Sequence, residues 1–315
     1  MATEPILIIS AEGTASECRL WFAKWLAAAP DYWALTKPEV NFLIVTCTFA
    51  GFYLGYPAYP EHFPLVRLIH TLLGTLLVAS GTGTLNQYLE RRFDALMRRT
   101  ATRPLPAGRI NPRHALAFGT LLASVGAAYL AVAVSVLASL LAILTLATYL
   151  FVYTPLKRKT PICTLVGAFP GAIPPLIGWA AAAGTVSLQA LAIYAVLFLW
   201  QFPHFMAIAW MYRDDYARAG YLVLPCENQC RFVVWVTALP TLGLVILSLA
   251  PTPLARAGLV CRIGALLLSS GLVYCGAQLG LRRSTAAARR LLLASIVYLP
   301  LVFVLRVAEK LLSSS

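Results

Sequence analysis

The sequence predicts an all-α polytopic membrane protein of nine transmembrane helices, and three observations lead there. Of its 315 residues, 60% are hydrophobic and only 12% charged, a balance no ordinary water-soluble domain carries. The apolar residues gather into stretches long enough to cross a bilayer as helices. The Lys and Arg residues fall almost entirely into alternate connections between those stretches, the signature of topology set by positive charge.

The elements follow in order. Residues 1–36 form an N-terminal segment without a cleavable signal, since the apolar run Pro5 to Ile9 is short and follows Glu4. Glu12 and Glu17 argue against an acid-poor mitochondrial transit peptide, which makes a bacterial plasma membrane the simpler location. A transmembrane domain then occupies 37–315, with spans at 40–57, 68–89, 114–133, 135–153, 163–183, 188–211, 232–250, 263–280 and 291–308. The third and fourth form one apolar run, too long for a single crossing, that folds back as a tight hairpin near Val134 to Ser139. Within the second, Gly81-Thr82-Gly83-Thr84 offers small residues for close helix approach. The fifth is interrupted by Gly167, Pro170, Gly171, Pro174, Pro175 and Gly178. Such interruption is tolerated where protein or a cavity satisfies the freed backbone groups, so this helix is expected to border a pocket.

Charge then orients the bundle. One face collects Arg19, Lys24 and Lys37; Arg91, Arg92, Arg98, Arg99, Arg103, Arg109 and Arg113; Lys157, Arg158 and Lys159; Arg213, Arg218 and Arg231; and Arg282, Arg283, Arg289 and Arg290. The other has Arg67, Arg256, Arg262, Arg306 and Lys310. The first face is therefore cytoplasmic, with the N-terminus inside and the C-terminus outside. This rule and contact with anionic lipid account for the net charge of +13, with no nucleic acid required. The seven cysteines, Cys18, Cys47, Cys163, Cys226, Cys230, Cys261 and Cys275, are odd in number and scattered, so they predict no disulfide framework. Cys226 and Cys230 lack a nearby His and read as small apolar residues rather than a metal pair.

The chemistry concentrates where the second span ends. Asn86, Glu90 and Asp94 recur every fourth residue, so an amide and two carboxylates project from one helix face. A carboxylate in hydrocarbon costs about 2.5–3.5 kcal/mol on insertion scales, and such groups face a cavity, a partner charge or a metal. Oxygen ligands without Cys or His suit a hard cation, and Mg²⁺ bridges a few carboxylates to substrate phosphates. Arg98, Arg99 and Arg103 follow as permanent cations matched to phosphate oxygens, before Pro104, Pro106 and Gly108 turn the chain. A plainer reading pairs Arg91 with Asp94, or Asp94 with Arg98, as local ion pairs. It leaves Asn86 on the same face unexplained, and it leaves unexplained the further acids Asp214 and Asp215 at the same membrane face. Those lie in Tyr212-Arg213-Asp214-Asp215-Tyr216-Ala217-Arg218, just beyond Trp200-Gln201-Phe202-Pro203-His204-Phe205. His204 is a candidate for binding iron, donating to a carboxylate or moving a proton. Two acidic clusters on one side can hold one or two Mg²⁺ and, through them, a diphosphate.

At these residues the chain resembles the UbiA superfamily of intramembrane prenyltransferases. The resemblance spans nearly the whole chain and rests on Asp31 to Pro38, Asn86 to Arg109, Tyr153 to Ala180, Trp200 to Gly220 and the nine-helix plan. Tyr153-Thr154-Pro155-Leu156-Lys157-Arg158 and Trp200 to Phe205 are similar to the haem-directed branch of that superfamily rather than to its quinone or chlorophyll branches. What the resemblance implies is transfer of a farnesyl group from farnesyl diphosphate to a vinyl carbon of haem B, with Mg²⁺ required. The product would supply a haem A synthase or a terminal oxidase. Carried over by position, Asn86, Glu90 and Asp94 bind Mg²⁺ and diphosphate, and Asp214 and Asp215 form the second cluster. Arg98, Arg99, Arg103, Lys157, Arg158, Gln201 and Arg213 contact substrate, the cations gripping phosphate or haem propionates, and His204 meets the haem.

The chain departs from the family pattern in three places. Glu90 stands where Asp is usual, the second cluster has Arg218 and Ala219 where an acid four residues on is expected, and Glu39 replaces a common basic residue. Two other functions compete: the same prenyl chemistry on an aromatic or quinone precursor, and a transporter with proton-coupled carboxylates. A transporter would scatter its acids near the midplane, whereas here they gather at helix ends beside arginines.

Overall fold

A computed structural model describes residues 27–57, 63–225, 229–249 and 258–314. Most of the N-terminal segment, with Cys18, Arg19 and Lys24, and also Cys226 and Arg256, lies outside these described residues. A short helix over 27–35 leads into α1 (Pro38–Gly55). Then come α2 (Leu65–Asp94), α3 (Pro112–Ala133), α4 (Val136–Leu156), α5 (Cys163–Ala183) and α6 (Leu188–Met211). A six-residue helix, Arg213–Arg218, precedes α7 (Gln229–Leu249), α8 (Gly258–Arg282) and α9 (Thr285–Ser314). Among the described residues there is no strand. Eight of these helices, α2 to α9, are long and apolar enough to span a membrane. The first, α1, is not among them, because its opening turn spends positions on Glu39 and Asn41. Large apolar side chains such as Phe42, Val132, Leu188, Ile246 and Val304 are exposed along the helices, the surface a lipid solvent would cover.

The predicted hairpin between the third and fourth spans turns at Val134 and Ser135. Ser135 caps α4 by accepting from the Ala138 amide at 3.1 Å, and Ser139 Oγ donates back to the Ala127 carbonyl at 2.7 Å. The second half of α4 widens into a π-turn over Thr148–Tyr153, one of the irregularities that frequently mark functional positions. It delivers Thr154 and Lys157 to one end of the bundle.

Helices pack largely in chain order. α2 lies against α1 and α3, α4 joins α3 to α5, α6 sits among α5, α7 and α9, and α9 returns to α1. Small residues set the closest approaches. A Cβ on Gly81 would lie 2.5 Å from the Ala123 amide nitrogen of α3, so the Gly-Thr-Gly-Thr stretch serves helix contact as its composition predicts.

The interruptions in α5 serve close helix contact. The helix breaks at Ile173 between Pro170 and Pro174, and its second half is pressed onto α1. A Cβ on Gly178 would meet the Thr48 carbonyl oxygen at 1.9 Å, and one on Gly51 would meet the Pro175 carbonyl oxygen at 2.0 Å. The glycines permit backbone contact, and most of α5 is consequently buried by protein. Gly178→Ala is therefore expected to destabilise the bundle by about 1–3 kcal/mol. Gly271→Ala, where a Cβ meets nothing within 4 Å, is expected to be neutral; thermal unfolding in detergent compares the two.

Candidate active site

The last two turns of α2 present Asn86, Glu90 and Asp94 on one face, buried at 1%, 6% and 1% exposure. Two carboxylates do not stay there uncompensated. Glu90 Oε1 accepts from Lys157 Nζ at 2.8 Å, and Asp94 Oδ2 accepts from Arg103 Nη1 at 2.9 Å. Asn86 sits between cation and anion: its Oδ1 accepts from Lys37 Nζ at 2.6 Å, and its Nδ2 donates to Glu90 Oε2 at 3.0 Å and Thr154 Oγ1 at 3.2 Å. The local pairs Arg91–Asp94 and Asp94–Arg98 are replaced by Asp94–Arg103, because the chain turns back beyond α2. Thr100 Oγ1 donates to the Asp94 carbonyl at 2.8 Å and the Arg103 amide to the Thr100 carbonyl at 3.0 Å, which brings Arg103 over the helix end.

Lys37 is delivered by a strained reversal. Its backbone is left-handed, with φ 55° and ψ 63°, a conformation a lysine keeps only when its surroundings enforce it. Asn41 Nδ2 donates to the Thr36 carbonyl at 2.8 Å and to Ser80 Oγ at 2.9 Å. Gln87 Nε2 donates to the Ala34 and Leu35 carbonyls at 3.1 and 3.0 Å. Burial, and then repulsion from Arg103, lower the Lys37 pKa to about 7. A lysine so placed gains charge readily beside an incoming anion. Lys157 behaves oppositely. Burial opposes its charge, but the Glu90 carboxylate, with the Tyr153 and Tyr149 phenols, holds it well above the usual lysine range. Its ammonium lies 4.5 Å from the Tyr153 ring centre and 5.8 Å from that of Tyr221.

The second acidic segment meets the first. Asp215 is buried, accepts from the Arg99 amide at 3.3 Å and pairs with Arg218. Acids from α2 and from the helix after α6 thus share one end of the bundle, as the charge pattern required. Asp214 does not join them. Its side chain is 81% exposed and 3.8 Å from Arg213, since adjacent helical residues point about 100° apart.

Arginines line the rim against aromatic faces: Arg99 over Tyr212 at 5.1 Å, Arg158 over Phe93 at 4.3 Å and Arg213 over Trp210 at 5.4 Å. Arg98 is exposed beside them. Gln201 and His204 are turned to other partners. Gln201 Nε2 donates to the Ala168 and Leu197 carbonyls at 3.1 and 3.2 Å, while His204 Nδ1 lies 2.9 Å from Ser295 Oγ and its ring stacks on Trp200.

The donor set is oxygen-only and charge-balanced by cations that an arriving anion can draw away. Among the described residues no three His, Cys, Asp or Glu side chains gather into a metal cage. That chemistry fits Mg²⁺ that keeps several waters and is held jointly by a few carboxylates and a substrate's phosphates. Sequence reasoning missed Lys37, Thr154 and Tyr221 as members of this cluster. Lys37 had one legible signal, a cation immediately before the helix-starting Pro38, and Thr154 sits within the Tyr153 to Arg158 block; Tyr221 had none.

Residues 43–298 match the UbiA prenyltransferase family. A relative from Solibacter usitatus named protoheme IX farnesyltransferase is 44% identical over 287 residues, covering 89% of this chain and 98% of that one. One of the same name from Koribacter versatilis is 41% identical, covering 89% and 93%. Among solved structures, a UbiA homolog from Archaeoglobus fulgidus bound to DMAPP and Mg²⁺ shares the fold with a TM-score of 0.63 at 17% identity, covering 87% of this chain and 98% of that one. A digeranylgeranylglyceryl phosphate synthase reaches 0.70 at 17% identity, covering 90% and 99%.

Proposed function

The chain belongs to the UbiA prenyltransferase family, and from that membership we infer that it transfers a farnesyl group from farnesyl diphosphate to the vinyl group of protohaem IX, forming haem O. The observation that carries the chemistry is a set of buried acids at one end of a membrane bundle, Glu90 paired with Lys157, Asp94 with Arg103 and Asp215 with Arg218, with Lys37 on Asn86 beside them. Separate acidic and basic groups of that density, buried and paired with one another, are what a metal-bound diphosphate would replace.

In our reading Glu90, Asp94 and Asp215 hold Mg²⁺, with Asn86 orienting Glu90. When bound, Mg²⁺ supplies positive charge that stabilises the departing pyrophosphate. Lys157 and Arg103, released from their carboxylates, turn to the phosphate oxygens, so the pairs seen here exchange partners rather than break. Lys37 stands on the other side of Asn86 to receive the same anion. Heterolysis of the allylic C–O bond leaves its electron pair on the diphosphate oxygen and a delocalised cation on the farnesyl carbon. Tyr153 and Tyr149, whose rings lie 5.2 Å apart beside Lys157, offer aromatic faces to that cation. The vinyl carbon of haem B then forms the new C–C bond, and water adds at the neighbouring cationic carbon and gives up a proton to the released diphosphate. Arg98, Arg99, Arg158 and Arg213 contact the anionic groups of the two substrates at the rim. His204 and Gln201 act only if haem reaches the α6 face between α5 and α9.

We place the site on the cytoplasmic face of a bacterial plasma membrane, with the N-terminus inside, because the basic loops surround it. A haem A synthase or terminal oxidase assembly is the expected recipient of the product. The test is direct: protein in lipid nanodiscs with Mg²⁺, labelled farnesyl diphosphate and protohaem is expected to put label into haem. Label entering an aromatic acid and not haem would overturn the reading, and chelation of Mg²⁺ is expected to stop transfer.

A further inference from the structure

The hydroxyl of Tyr221 is an unspent hydrogen-bond donor inside this site. Tyr221 is only 6% exposed, and its oxygen lies against the Glu90 carboxylate without closing a hydrogen bond of good geometry. A buried hydroxyl without a partner is costly, and one facing a ligand site is placed to find its partner there. The side chain is aimed deliberately. Gly220 turns the chain with a φ of +68°, the Tyr221 amide donates to the Tyr216 carbonyl at 2.9 Å, and the next amide, of Leu222, donates to the Lys157 carbonyl at 2.7 Å. The ring is wedged among Phe93, Tyr216 and Met97, with centroids 5.9 Å from Phe93 and 6.2 Å from Tyr216. The loop after the second acidic segment is thereby fastened to Lys157, the cation paired with Glu90.

We propose that Tyr221 is a catalytic residue that donates a hydrogen bond from its hydroxyl to an oxygen of the prenyl diphosphate as the allylic C–O bond breaks. The bond's electron pair remains on the diphosphate oxygen, the phenol keeps its proton, and no other atom moves. Negative charge on the acceptor grows along the reaction, so the hydrogen bond strengthens toward the transition state and acts on rate more than on binding. The proposal rests on the diphosphate reading of the site and adds a residue to it.

Tyr221→Phe removes only the oxygen and preserves the ring packing. In nanodiscs, its kcat is expected to fall about 10- to 100-fold, with the KM for farnesyl diphosphate within about threefold and the thermal midpoint unchanged or higher. Unchanged kcat with a raised midpoint would make the hydroxyl a tolerated packing defect and overturn the proposal. A raised KM at unchanged kcat would overturn it too, as uniform binding. Tyr221→Leu, lacking ring and hydroxyl, is expected to be at least as slow as Tyr221→Phe; an inactive Leu variant beside a fully active Phe variant would assign the role to the ring and defeat the hydroxyl. Wild-type protein run alongside separates the two failures. No product from wild type with protohaem defeats the acceptor assignment, whereas wild type and Tyr221→Phe releasing pyrophosphate equally fast defeats this one.

Discussion

Asp94→Asn is expected to lower kcat by about 10³-fold while leaving the protein inserted and folded. The substitution changes almost no volume, and the amide oxygen can still accept from Arg103, which is partly exposed and does not become a buried orphan. What disappears is one full negative charge on a helix face where Glu90 lies one turn away and Asp215 lies across the Arg99 amide. With Asp94 as a proposed ligand, a divalent ion shared with a diphosphate would lose half the charge of its first carboxylate pair, so the Mg²⁺ concentration for half-maximal rate should rise as kcat falls. Asp214→Asn provides the contrast. Its carboxylate is in solvent, and the variant is expected within about twofold of wild type. Asp31→Asn gives a second comparison, because the two Asp31 carboxylate oxygens share the Arg109 Nε–H at 2.9 and 3.1 Å outside the cluster. Full activity in Asp94→Asn would remove Asp94 from the metal site; equal losses in Asp94→Asn and Asp214→Asn would mean that the second acidic segment turns over on binding.

How much of this was legible in the sequence depends on whether a residue's position is set by its own helix. Asn86, Glu90 and Asp94 share a face because the helical period puts them there, and nothing else in the protein is needed to know it. The convergence of the two acidic segments followed from charge alternation, since both belong to basic connections of the same face. The partner of Asp94 was not legible. Helical spacing pointed to Arg91 or Arg98, but α2 ends at Asp94, and a turn returns Arg103 from nine residues on. The choice between Asp214 and Asp215 was equally hidden, because neighbouring acids are equivalent in sequence and only the docking of their short helix picks one. The prolines and glycines of α5 announced irregular backbone correctly, but composition does not distinguish a wall beside a cavity from a wall pressed against another helix. Lys37 depends on a left-handed residue held by Asn41 and Gln87, contacts that join separate helices and leave no pattern in one dimension.

Lys157→Met is expected to damage the protein twice, and the two effects can be pulled apart. Removing the ammonium leaves Glu90 buried against Asn86 without its main counterion, a change that costs about 3–5 kcal/mol in buried pairs. On the proposed exchange of partners it also removes a cation from the diphosphate, so kcat/KM for farnesyl diphosphate should fall by about 10²-fold or more. A single variant confuses these effects, because a partly unfolded enzyme is also slow. The double variant Lys157→Met with Glu90→Gln separates them. Neutralising both partners takes away the orphaned charge, so the thermal midpoint should return most of the way to wild type, while activity should stay as low as in the single variant or lower. Lys157→Arg keeps the charge but replaces a compact ammonium on the Tyr153 face with a broader planar fork, and it is expected to retain stability better than rate. Recovery of activity together with stability in the double variant would show Lys157 to be only the counterion of Glu90, and the exchange of partners on diphosphate binding would lose its principal cation.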